Sequence, residues 1–331
     1  MKALALTAYN KPFEWLESPI PEPDTHQVTV EIKAVGINPL DNMIQQGQFK
    51  QLFPYKLPMI MGNEFSGIIT KVGSGVSNWK VGDEVFARPD ILTLGAFAEF
   101  VNVDVADIAP KPSQLSWEQA ASIPLVLLTA IQAFTEKTQI SAGSKVFIQG
   151  GAGGLGSIAV QVAKYLGATV ATTVSTKDVE LAHDLGADIV VDYRTQRYED
   201  YVQDFDVVLD TLGGEETLRA MHTLKAGGTL LSVVAAPDAE FAAQLGKPLL
   251  KPVMSFLSRK QRKAAKQHNV TYKFLFMHAS GHQLEQFTPA LNDGSIRPVV
   301  GEIFAFDDLP QAIAQLSAKR SSSGKIVAVR Q

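Results

Sequence analysis

The chain of 331 residues contains no cysteine. That excludes disulfides and every thiolate metal site, and it suits a reducing, cytoplasmic compartment. No stretch approaches the roughly 18 uninterrupted apolar residues of a membrane-crossing helix. The first residues, which include Tyr9 and Asn10, lack the apolar core of a secretion signal. An excess of one charge sign is also missing. The formal net charge of −4 gives no field that would recruit nucleic acid or an anionic membrane, so neither is expected as a partner. The densest basic run, Arg259, Lys260, Arg262 and Lys263, reads as a solvated helix face, with anion or nucleic-acid binding as the alternative. There is no internal repeat and no low-complexity tract. The length suggests about two domains with real cores.

What is present centres on residues 149–156, Gln-Gly-Gly-Ala-Gly-Gly-Leu-Gly. The apolar run Val146, Phe147, Ile148 before it reads as a strand. After it, Ile158, Val162 and Leu166, with Ala159 and Ala163, fall on one helical face closed by Gly167. Gly151, Gly153 and Gly156 spell G-x-G-x-x-G between strand and helix. In a dinucleotide site these glycines permit a tight turn, a close approach to pyrophosphate, and close helix–strand packing. Gly154 and Leu155 open the helix, whose N-terminus favours an anion. Any glycine-rich strand–helix turn could imitate the motif; a second strand at 169–174 supports the dinucleotide reading. An NAD unit usually carries an acid about 20 residues beyond the glycines. Here that place holds Ser175, followed by Thr176 and Lys177, which can bind a 2′-phosphate and point to NADP(H). The alternative is that Ser175 and Thr176 cap a helix over 177–185.

The first 125 residues read as mostly β, with a period-two run at 28–34 and short glycine-punctuated runs at 67–73, 82–86 and 96–103. From 145 onward strand and helix alternate, which argues for a parallel sheet covered on both faces. Residues 237–270 break that rhythm. The tail offers strands at 273–277 and 324–329 and a helix near 307–317. The expected class is α/β: a Rossmann doubly wound parallel sheet over 126–265, and a mostly-β domain made of 1–125 and 266–331.

Several landmarks together resemble the medium-chain dehydrogenase/reductase superfamily, and within it the zinc-independent quinone oxidoreductase and enone reductase branch, the relatives of zeta-crystallin. They are residues 36–41 (Gly-Ile-Asn-Pro-Leu-Asp), 62–67 (Gly-Asn-Glu-Phe-Ser-Gly), 81–85 (Val-Gly-Asp-Glu-Val), 95–100, 150–156, 186–193 and 322–327. The resemblance implies a GroES-like catalytic domain built from both chain ends, a nucleotide domain inserted between them, and a cleft between the two. Members are commonly homodimers. Where zinc-using alcohol dehydrogenases have a cysteine and a histidine, this chain has Asn38 and Asn63, so no zinc is expected. His278 and His282 are spaced i, i+4 but read as ordinary surface histidines in a loop.

Without a Lewis acid, a conjugated acceptor is the easier substrate, because hydride added to the β-carbon of an enone or to a quinone sends charge to an oxygen. Asn38 is the candidate donor to that oxygen; the alternative is that it only holds the turn before Pro39. Asp41 is expected to orient the cofactor. The resemblance places Thr129 near the nicotinamide, Tyr193 at the adenosine end (or as a buried strand-end tyrosine), Phe276 near the carboxamide, and Arg320 near the cofactor. Phe49 stands where some relatives have a quinone-contacting tyrosine. The implied function is an NADPH-dependent reductase of quinones, 2-alkenals or enones. The alternative is a non-catalytic NADP(H)-binding structural or sensor protein of the same fold.

Overall fold

Strand–helix alternation from residue 145 builds a six-stranded sheet in which every pairing is parallel. Across the sheet the order is Ile189–Asp192, Thr169–Val174, Lys145–Ile148, Phe205–Asp210, Leu224–Ser232 and Thr271–Phe274. The order reverses beside Lys145–Ile148, and such switch points bind ligands beyond the carboxyl ends of the strands. Helix Gly154–Tyr165 buries Ile158, Ala159, Val162 and Ala163 on the expected face. It ends at Gly167, whose φ of +84° is the left-handed conformation that stops a helix. On the sheet, Phe147, Val208 and Leu230 pack with Tyr198 and Met221 in one buried cluster.

The computed structural model describes residues 1–316 and 323–330 and divides the chain into two units, Met1–Leu128 with His278–Gln331, and Thr129–Met277. The return to the first unit comes at 278, later than the 266 expected from the sequence. The reason is that Thr271–Phe274 pairs in parallel with Leu224–Ser232 and completes the nucleotide-type sheet. The stretch 237–270 is the crossover to that strand, made of helices Ala239–Gln244, Lys251–Leu257 and Arg259–Gln267. Asp238 ties it down, accepting from the N–H groups of Phe241 at 3.0 Å and Phe274 at 2.9 Å.

The other unit is organised on strand Gln27–Ile37, where Val28, Val30 and Ile32 are fully buried. It pairs antiparallel with Phe65–Val72, Phe100–Asp104 and Lys325–Val329. Ile326 lies opposite Ile37 and Val327 opposite Gly36, so the two ends of the chain share one sheet. Strand pairing across some 290 residues of sequence therefore sets Lys325 beside the turn that follows Ile37. Among the described residues, no helix is long and apolar enough to cross a membrane.

Candidate active site

The glycine turn is a built cradle. Gly150 carries the positive φ of +69°, so the tight turn falls one residue before the motif. Gly151 is required for space, since a Cβ there would lie 2.2 Å from Thr172 Oγ1. A Cβ on Gly156 would lie 2.0 Å from the Gly150 carbonyl oxygen. Gly153 is the N-cap of helix Gly154–Tyr165 and offers no side chain to its N–H groups. Beside the turn, Gln149 is fully buried, and neither end of its side-chain amide has a hydrogen-bond partner among the described residues. An uncapped helix start, a turn no side chain can fill and an orphaned amide fit a bound diphosphate.

At the end of the neighbouring strand the sequence reading needs correction. Carboxylates are present: Ser175 Oγ donates to Asp178 at 2.5 Å and Thr176 Oγ1 to Asp192 at 2.6 Å. The Thr176 hydroxyl, then the Arg194 N–H, hold the Asp192 carboxyl below its ordinary range. Ser175 is buried, whereas Thr176 and Lys177 are exposed in the turn Thr176–Asp178 that precedes helix Val179–Asp184. Tyr193 is 57% exposed, so it is not a buried strand-end tyrosine. Its ring lies 6.0 Å from the Arg194 guanidinium. Thr129 is buried in helix Pro124–Ile131. Phe276 follows the last parallel strand and packs at 5.3 Å on Phe241. Arg320 lies outside the described residues.

In the first unit the structure brings Asn38 and Asp41 together and adds three groups to them. Asn38 is the N-cap of helix Pro39–Gln45; its backbone N–H donates to Asp41 Oδ2 at 2.8 Å, and Asn63 Nδ2 donates to Asp41 Oδ1 at 2.7 Å. Both oxygens of Asp41 thus hold protein groups rather than standing open to a cofactor. Burial is the main influence on Asp41 and lifts its pKa to about 7, against the hydrogen bonds from Asn38 and Asn63 and the charge of Lys325. Asn38 Nδ2 donates to Glu64 Oε1 at 2.7 Å, while Lys325 Nζ donates to Asn38 Oδ1 and, at 2.5 Å, to Glu64 Oε1. Glu64 Oε2 accepts from the Leu125 N–H at 2.8 Å.

An ammonium bonds only to the oxygen of the Asn38 amide and a carboxylate only to its nitrogen, so the orientation of that amide is dictated by its neighbours. One Asn38 N–H is left without a partner among the described residues. Gly36 leaves room for the cluster, since a Cβ there would lie 2.3 Å from Glu64 Oε1 and 2.5 Å from the Ala121 carbonyl oxygen. Sequence reasoning did not single out Lys325 or assign Glu64 a role. The available signal was the Gly-Lys pair at 324–325, opening a strand whose partner precedes Asn38.

Residues 24–113 match the family of alcohol dehydrogenase GroES-like domains, and residues 185–327 match the family named zinc-binding dehydrogenase. A 2-methylene-furan-3-one reductase of Solanum lycopersicum is 33% identical, covering 99% of this chain and 78% of the relative. The chain belongs to the medium-chain dehydrogenase/reductase superfamily. Within that superfamily it falls in the quinone and enone oxidoreductase branch. An NADPH-dependent alkenal/one oxidoreductase of Arabidopsis thaliana, a chloroplastic protein, is 31% identical over 93% of this chain and 73% of its own length. The quinone oxidoreductase of Coxiella burnetii superposes with a TM-score of 0.85 at 26% identity, covering 100% of this chain and 99% of that one.

The superfamily's zinc does not fit this member. At the ligand positions stand two amides, and an ammonium is bonded to one of them. Among the described residues, no group of three or more His, Cys, Asp or Glu could hold a metal ion. His278 Nδ1 lies 3.1 Å from the Ala279 carbonyl oxygen, and His282, in the first turn of helix Gly281–Asn292, lies 3.0 Å from Gln286 Nε2.

Proposed function

We propose that the chain is a zinc-free, NADPH-dependent reductase of conjugated acceptors, enones, 2-alkenals or quinones. The observation that carries this reading is the Asn38 amide, oriented by Lys325 and Glu64 at the place where metal-using members hold a ligand. When bound, the cofactor supplies a hydride from its reduced nicotinamide. The glycine turn with Gly151, Gly153, Gly154, Leu155 and Gly156 would hold the diphosphate, and Ser175, Thr176, Lys177 and Tyr193 the adenosine end. From the resemblance, Thr129 would lie near the nicotinamide, Phe276 near its carboxamide and Arg320 near the cofactor.

Lys325 polarises Asn38 through its carbonyl oxygen, so the remaining N–H of Asn38 is the stronger donor toward an oxyanion forming on the substrate. Asp41 is a positioning residue here: it fixes the backbone of Asn38 and the side chain of Asn63. A saturated carbonyl is not sufficiently activated by this arrangement, because its localised alkoxide needs more stabilisation than one amide supplies, whereas an enolate or hydroquinone anion delocalises its charge. The absence of cysteine supports a reducing compartment, which we assign as cytoplasm, and we infer a homodimer, to be checked by sedimentation.

The test is NADPH oxidation across 2-cyclohexenone, 2-hexenal and quinones, with cyclohexanone and hexanal as matched controls. Conjugated acceptors should turn over at least about 100-fold faster than the controls, the scale of one oxyanion interaction. Chelators should leave the rates unchanged. A saturated aldehyde reduced as fast as its 2-alkenal would overturn the reading, and stoichiometric NADPH binding with no turnover would favour a sensor.

Cofactor choice has its own test. Lys177→Ala should weaken NADPH binding about tenfold with NADH nearly unaffected, the low end for a charged hydrogen bond because Lys177 is exposed. Asp178→Asn should move preference the other way, toward NADPH, by removing a carboxylate beside Ser175. Titration of each cofactor by protein fluorescence measures both. Equal loss for the two cofactors in Lys177→Ala would mean that the lysine supports the turn and not a phosphate.

A further inference from the structure

Arg88, directly after strand Glu84–Ala87, is the largest of the fully buried side chains, 1% exposed. None of its three guanidinium nitrogens has a hydrogen-bond partner among the described residues. Asp90, Asp107, Tyr55 and Glu64 act on it electrostatically, yet none bonds it. The nearer acids are committed elsewhere: Asp107 Oδ2 accepts from the Asp90 N–H at 2.9 Å, and Asp90 Oδ1 from the Leu92 N–H at 2.8 Å. A guanidinium has five N–H donors, and folded proteins rarely leave even one buried donor dry. A second orphan stands in the same unit, since the Tyr9 hydroxyl is buried without a partner. Tyr9 and Arg88 both act on Tyr55, whose own hydroxyl donates to the Ile91 carbonyl at 3.1 Å. Tyr55 continues a row of rings, with Phe53 at 6.4 Å and Phe49 at 6.3 Å beyond it, and Phe49 and Tyr55 are partly exposed.

We propose that Arg88 and the Tyr9 hydroxyl form a second oxygen-binding subsite, which receives the remote carbonyl of a two-carbonyl conjugated acceptor, a para-quinone or an ene-dione. Charge decides for a neutral oxygen over a carboxylate: three acids already bear on Arg88, and a fourth negative charge would meet all of them. The aromatic row suits a planar ring that enters face-on. Glu64 both bonds Asn38 and acts on Arg88, so the two donor groups share one carboxylate neighbour.

The inference rests on the reductase reading and narrows its substrate. Hydride from NADPH bonds to the ring carbon β to one carbonyl, the C=C pair shifts and that carbonyl's π pair moves onto its oxygen, leaving NADP+. The carbon that received the hydride then loses a proton to water while both oxygens take up protons from water, which gives the hydroquinone. The oxygen that takes the charge is met by Asn38, while Arg88 and the Tyr9 hydroxyl hold the remote carbonyl and fix the ring. A one-carbonyl enone uses Asn38 alone.

The experiment compares 1,4-naphthoquinone with 2-cyclohexenone in the full chain and in Arg88→Met, Arg88→Lys and Tyr9→Phe. In Arg88→Met the KM for the quinone should rise about 10- to 100-fold, with the cyclohexenone KM within about twofold. Arg88→Lys should recover part of the loss, and Tyr9→Phe should show a smaller effect in the same direction. Without ligand, Arg88→Met should melt at or above the parent temperature, because an unpaired buried charge has been removed. A separate melting experiment with 1,4-naphthoquinone and no NADPH should show a ligand-induced rise in the parent that Arg88→Met and Tyr9→Phe lose. Loss of the quinone preference in no variant, equal loss for both acceptors, or no Arg88-dependent melting shift would each overturn the proposal and leave Arg88 hydrated and structural. If neither acceptor is reduced by the parent chain, the reductase reading fails, while the melting shift still decides the subsite.

Discussion

Replacing Lys325 by methionine should destabilise the unit that contains it by about 3–5 kcal/mol, the scale for breaking a buried ion pair from one side. Lys325 is 6% exposed and Glu64 is 0% exposed as side chains, and they meet at 2.5 Å. Removing the ammonium leaves the Glu64 carboxylate buried with two N–H donors, from Asn38 and Leu125, and no positive charge in contact. It also releases the Asn38 carbonyl oxygen, so the amide loses the contact that sets its orientation. The double variant Lys325→Met with Glu64→Gln should recover most of the stability, since neither charge remains. The readout is specific. All three tryptophans, Trp15, Trp79 and Trp117, lie in Met1–Leu128, so their fluorescence during urea unfolding follows that unit alone. On the proposed role of Asn38 as donor, activity should not return in the double variant, because the ammonium that polarises its amide is still missing. A Lys325→Met protein as stable as the parent would mean that the ammonium contributes no net stability to the cluster.

The same unit should lose stability as pH rises from about 4 to about 7. Burial raises Asp41 from 3.8 to about 7, so between those values the folded carboxyl keeps its proton while the unfolded one has ionised. The stabilising contribution is full below the unfolded value and gone above the folded one. About three pH units at roughly 1.4 kcal/mol each set an upper scale of about 4 kcal/mol. Asp107, raised to about 6 chiefly by burial, adds in the same direction. Asp41→Asn should remove most of the slope, although its amide can no longer accept from both Asn38 and Asn63, and its stability at pH 5 should be lower than the parent's. The check is tryptophan-monitored urea unfolding at pH 5 and pH 8 in both proteins. An unchanged slope in Asp41→Asn would show that Asp41 is ionised throughout.

The glycine turn was legible because its logic is largely local. Strand, glycines and helix lie within about twenty consecutive residues, and Gly156 answers a steric demand made by Gly150 within the turn, although the one on Gly151 comes from Thr172 on the next strand. The α/β class followed from the same local periodicities. Even there the chain misled at the edges. Ser175 and Thr176 read as open hydroxyls, yet Asp178 is three residues from Ser175 and Asp192 is sixteen from Thr176, and folding turns both acids onto them. The boundary at 278 was hidden because a short strand after a helical crossover looks the same whichever sheet it joins.

By itself, then, the sequence determined the nucleotide-type sheet, the glycine cradle and the lack of any thiolate site. These depend on residue type and short-range spacing. Only the tertiary structure decided what surrounds Asn38 and what is left around Arg88. Lys325 is 287 residues from Asn38 and 261 from Glu64, and antiparallel pairing of the last strand with Gln27–Ile37 brings them into contact. A buried charge declares itself through the partners it has or lacks, and those partners come from strand register and packing across the whole chain, which no local pattern encodes.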